Sequence, residues 1–109
     1  MKRLHIGGQS VLTGDDLADA LLDFALALYE SGRVESVALP IVDEGGEPQQ
    51  ARLLLTPALA MWATTVPDGE KEPTDPGLVR MLEERARQLG GASVESGYGP
   101  RDEFDPFGS

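Results

Sequence analysis

The chain has 109 residues, with 9 Lys and Arg against 19 Asp and Glu, one His and no Cys, for a formal net charge of −10. That length suits one domain with a modest core. The charge argues against direct binding to nucleic acid or to an anionic membrane surface, where affinity comes from Lys and Arg. The lack of Cys excludes disulfides, thiolate nucleophiles and Cys-ligated metals. The opening MKRLHIGGQS has no apolar signal region, and no run approaches the roughly 18 apolar residues of a membrane span. These features lead to the expectation of a soluble cytoplasmic protein.

In chain order, Leu4 and Ile6 alternate with Arg3 and His5, the period of a half-buried strand. Gly7-Gly8 then reads as a tight hairpin turn into Gln9-Ser10-Val11-Leu12, with both glycines able to take positive φ. Thr13 is placed to cap a helix over residues 14–31, with Asp15 and Asp16 favourable near its positive end. Gly32 supplies the left-handed residue that stops it.

This helix is the most informative segment. Asp16, Asp19, Asp23 and Glu30 form one thin polar line. Leu17, Leu21, Phe24 and Leu28 make one apolar face, and Leu22, Leu26 and Tyr29 carry it round the cylinder. A surface helix usually shows an apolar stripe of about 100° or a little more, so a wider one needs cover on more than one side. Its alanines, Ala18, Ala20, Ala25 and Ala27, allow a close approach by that cover.

Val34–Val42 reads as a strand with Val37, Leu39 and Ile41 on one face; Pro40, lacking an N–H, implies an edge or a bulge. The acidic, glycine-containing stretch from Asp43 to Pro48 is a loop, and residues 50–56 return as a second hairpin strand. A turn near Pro57 leads into strand character to about Val66. Residues 67–75 form a proline-bounded polar linker. Asp75 then caps a second helix with Pro76 in its first position, an apolar line of Leu78, Leu82, Ala86 and Leu89 with Val79 and Met81 alongside, a Glu83–Arg87 pair, and a Gly90-Gly91 stop. Residues 92–109 carry no periodicity and are expected to be flexible in isolation.

Candidate chemistry is sparse. His5 has no second His or Cys to build a zinc site. As a general base it needs a nucleophile within hydrogen-bond reach, which Ser10 could supply across the hairpin, with nearby aspartates in support. The helical aspartates lack the Glu-x-x-His partners of a di-metal bundle. Asp43–Glu47 lacks the spacing of a calcium loop, and Gly7-Gly8 lacks both the following Lys and the further glycines of a phosphate cradle. Met61 and Trp62 read as core or interface packing. No cofactor is expected.

The reading is an α+β two-layer sandwich: one antiparallel sheet, two helices, in the order β-β-α-β-β-(β)-α, spanning residues 1–91. Its expected role is that of a non-enzymatic protein-interaction module that is homo-oligomeric. Contacts are assigned to Leu22, Leu26, Tyr29 and the Pro40 edge strand, and to Phe104 and Phe107, aromatics set among acids in a segment able to order on a groove. Two other classes remain: a small enzyme or ligand binder using His5 and Ser10, and an acidic inhibitor or nucleic-acid mimic.

Overall fold

Two hairpins and one returning strand build the sheet in the computed structural model, which describes residues 1–67 and 72–90. The elements are β1 (Lys2–Ile6), β2 (Gln9–Thr13), α1 (Asp15–Ser31), β3 (Glu35–Val42), β4 (Pro48–Leu55), β5 (Met61–Thr65) and α2 (Pro76–Gly90). The sheet is antiparallel with strand order β4-β3-β2-β1-β5, an α+β architecture with both helices on one face. The sequence order of elements is as expected, with β5 starting at Met61, four residues after Pro57. The expectations for residues 91–109, including Phe104 and Phe107, lie outside the described residues.

Local chemistry accounts for most boundaries. Ile6 pairs with Gln9 across the glycine turn, and only Gly7 takes positive φ, as in a type II′ turn. At the other hairpin, Asp43 folds the turn on itself: Oδ1 accepts the N–H groups of Gly45 and Glu47, each at 2.9 Å, and Oδ2 accepts Gln49 Nε2. Gly32 ends α1 with φ 70° and donates its N–H to the Leu28 carbonyl. Asp75 caps α2 through Oδ1, which accepts the Leu78 N–H at 3.0 Å. Arg87 pairs with Glu84 rather than Glu83, and Met81 points to solvent.

Three expectations are corrected. Thr13 does not cap α1; it is fully buried, and its hydroxyl donates to the Pro40 carbonyl at 2.7 Å. Pro40 does not lie on an edge strand, because β3 sits between β4 and β2. The missing N–H is tolerated because backbone pairing between β2 and β3 is confined to Leu12↔Val42 and does not reach Pro40. The linker is also more than a spacer. Gly14 occupies the cap position of α1 and has no side chain to satisfy the first turn, so Glu72 does so from a distance, accepting the Asp15 N–H at 2.8 Å. Glu72 also meets the Met1 α-amine, which pairs with Asp15 as well.

The sheet cannot be flat. The chain passes from the end of β4 to the start of β5, at opposite edges, through Thr56–Ala60. A hydrogen-bonded turn from Thr56 to Leu59 shortens that passage. Its reach is then about 18 Å or less, under the roughly 19 Å width of five flat strands. The sheet therefore curls, with α1 in its concavity. Leu17, Leu21, Phe24 and Leu28 pack there with Leu4, Val37, Leu39 and Leu55. Alongside α1, α2 contributes Leu82 and Ala86 to the same core, and Arg85 reaches Glu35 on β3.

Gly14 is the tightest point. A Cβ there would lie 2.1 Å from the Pro73 carbonyl oxygen. Gly14→Ala is expected to lower stability by about 1–3 kcal/mol, as overpacking does when backbone must shift. Chemical denaturation checks this; an unchanged midpoint would mean that residues 72–75 move aside freely.

Candidate functional site

Strand alternation and the packing of α1 leave two surfaces that the other described residues do not cover. The first lies beside the C-terminal half of α1. Leu26 and Tyr29 are 48% and 65% exposed, and Leu22 is half-buried beside them. They border a hollow of about 210 Å³ whose far wall is Leu55, Pro57, Leu59 and Met61 from the β4–β5 passage. The structure thus gathers the three α1 residues singled out in the sequence into one groove. Pro40 is not part of it and lines a separate shallow hollow with Pro48 and Pro73.

The second surface is the convex face of the sheet, which the sequence reading missed. In the observed register His5 stands directly opposite Trp62 on β5 and Ser10 on β2. The His5 and Trp62 rings stack with centroids 4.6 Å apart and planes 8° from parallel. His5 Nε2 and Thr64 Oγ1 are 3.3 Å apart. Trp62 is still 51% exposed, so one ring face rests on His5 and the other meets solvent. Of the two residues expected in core or interface packing, Met61 turns inward to the core and Trp62 stays at the surface. The period-2 pattern of β1 already placed His5 opposite Leu4; carrying that alternation into residues 61–65 would have put Trp62 on the face opposite Met61 and Ala63, though not in register with His5.

His5 and Ser10 do share a face, but the aspartates do not join them. Asp15, Asp16, Asp19 and Asp23 belong to α1, which packs on the other face of the sheet. Asp19 is engaged with Lys2 at 2.9 Å. His5 is instead occupied by Trp62 and Thr64, which leaves no Ser–His–Asp relay among the described residues. Among those residues no three His, Asp or Glu side chains are grouped to hold a metal ion. No described helix is long and apolar enough to cross a membrane.

The described acids are spread over α1, β3, the β3–β4 turn, residues 72–75 and α2. Asp43 is held below the usual carboxylate range, chiefly by the backbone N–H of Glu47, with Gln49, Gly45 and Gly46 adding to it. Asp23 is shifted upward, first by partial burial, then by the neighbouring carboxylates of Asp19 and Glu83. A raised folded-state value means that the native chain holds the Asp23 proton more tightly than the unfolded chain. The penalty is therefore absent at low pH and develops as pH rises from the ordinary carboxylate range through the raised value.

With these surfaces defined, comparison with known protein families, curated proteins and solved structures finds no match. Function must therefore be argued from the surfaces themselves.

Asp23→Asn removes a like-charge i,i+4 contact with Asp19, and is expected to stabilise the fold by about 0.3 kcal/mol at neutral pH. The gain should vanish on acidification through the carboxylate range. Thermal unfolding of both proteins across pH checks the sign, and a gain that grows on acidification would contradict this account of Asp23.

Proposed function

We propose that the chain is a protein-interaction module that self-associates through the groove beside α1. The observation that carries this reading is the adjacency of the Leu26–Tyr29 ridge to the hollow formed by Pro57, Leu59 and Met61. A two-fold interface presents the same patch on both copies, so it needs a projection and a recess side by side. The groove supplies both. Leaving such surface wet forfeits about 25 cal/mol per Å² of apolar area, and exposed apolar patches rimmed by polar residues mark interfaces. Asp23 and Glu30 on the same helix provide that rim.

The net charge sets the salt dependence. Two copies at −10 each repel one another, and the apolar contact has to overcome that. Added salt shortens the Debye length from about 10 Å at 0.1 M to about 3 Å at 1 M, so self-association tightens with salt. An acidic mimic seated on a basic partner behaves oppositely and is released by salt.

Sedimentation equilibrium of the full chain is expected to show a reversible dimer that strengthens between 0.1 and 1 M salt. Leu26→Gln/Tyr29→Gln should yield a monomer. Because both positions are largely exposed, each change should alter the stability of the fold by only about 0.5 kcal/mol. A wild-type chain that stays monomeric to high micromolar concentration, or a variant that dimerises as well as wild type, would refute the proposal.

A further inference from the structure

The distribution of charge across the sheet is uneven in a way that composition does not require. The outward residues are Arg3 and His5 on β1 and, apart from the buried Val42, the even-numbered positions of β2 to β5. None of them is Asp or Glu, although the chain carries 19 acids. Arg3 and Arg52 lie on this face, and among the described residues neither has a carboxylate within ion-pair distance. Leu12, half-buried, stands opposite Arg3 on β2, and Trp62 offers its free ring face on β5. The outward face of the strands therefore carries no carboxylate, and near Trp62 it offers Arg3, one pair along β1 from the His5–Trp62 stack, on a molecule that is otherwise strongly acidic.

The chain itself contains a segment of the complementary chemistry. Residues 92–109 hold four acids (Glu95, Asp102, Glu103 and Asp105) against one base, Arg101. They also hold Tyr98, Phe104 and Phe107, three of the six aromatic residues in the whole chain. Phe on Trp62 gains offset stacking, and a carboxylate on Arg3 gains a charge-assisted hydrogen bond. The reach is sufficient, since Phe104 lies 14 positions beyond Gly90. Extended, they cover about 46 Å, more than the longest dimension of the molecule, 44 Å.

We propose that the convex face of the sheet is a docking surface for the acidic, aromatic segment of residues 98–107 of the same chain. Nucleic acid is the less favoured occupant. Two arginines neutralise few phosphates, and a chain at −10 repels a polyanion at long range. The tethered segment overcomes the same repulsion because its effective concentration is of millimolar order. This proposal uses a different face from the α1 groove and stands independently of it.

Trp62 is the only tryptophan, so its fluorescence reports on this face alone. Acrylamide quenching is measured on the full chain at low ionic strength. Phe104→Ser/Phe107→Ser is expected to raise the quenching constant about twofold, because uncovering the ring exposes the one face that His5 does not occupy. Arg3→Glu should do the same, and combining it with Asp102→Lys/Glu103→Lys/Asp105→Lys should restore protection. Leu26→Gln/Tyr29→Gln should leave quenching unchanged, which separates this test from that of self-association. Equal quenching in the wild type and the phenylalanine variant would overturn the proposal. So would protection that grows with protein concentration, which would place the segment on a second copy. A response of Trp62 to single-stranded oligonucleotide without any response to the phenylalanine changes would likewise overturn it, in favour of nucleic acid.

Discussion

Burial of α1 on two sides is the constraint from which the rest of this structure follows. Leu17, Leu21, Phe24 and Leu28 are each at most 1% exposed. Full burial of such side chains is worth about 1.5–3 kcal/mol apiece, so covering them dominates the stability of a domain this small. A flat sheet would cover one stripe only. The edge-to-edge passage Thr56–Ala60 is too short for a flat sheet, and the curl it imposes brings the strands round the helix. A second side is covered by α2, which residues 72–75 deliver across Gly14. The absence of a Cβ at Gly14, the Glu72 cap and the close approach of Pro73 are thus parts of one junction.

The same arrangement sorts the charges. Acids on α1 and α2 lie on the helical side of the sheet, and two pairs tie that layer to the strands, Asp19 of α1 with Lys2 of β1 and Arg85 of α2 with Glu35 of β3. The convex side of the sheet carries Arg3, His5 and Arg52 and no carboxylate in its strands. A chain of uniform negative charge by composition is therefore two-faced in space. The apolar groove lies at the end of α1 where the sheet and α2 no longer close over it. Leu26 and Tyr29 remain outside because the curled sheet runs out at Leu55 and Met61.

Several features of the fold were readable because each rests on near neighbours in sequence. The glycine turn, the Asp75 cap, the Gly32 stop and the alternation of β1 all depend on interactions spanning a few residues. The misreadings share the opposite cause. Thr13 looked like a cap, yet its hydroxyl is used 27 residues away at Pro40. The helix terminus it was expected to serve is satisfied by Glu72, 57 residues from Asp15. Pro40 looked like an edge because a missing N–H usually means an unpaired side. In this sheet the unpaired stretch lies inside, where β2 and β3 diverge from their one shared pair.

The candidate sites divide along the same line. Sequence by itself determined that α1 is too apolar for one-sided burial, that Leu22, Leu26 and Tyr29 share its flank, and that His5 faces away from Leu4. These are consequences of fixed periods, 3.6 residues in a helix and two in a strand. Only the tertiary structure decided which flank stays uncovered, that Trp62 meets His5, and that the bases gather on a face free of carboxylates. Those outcomes depend on strand register and on the path of two connections, and a pairing such as His5 with Trp62, 57 residues apart, is not encoded in any local repeat.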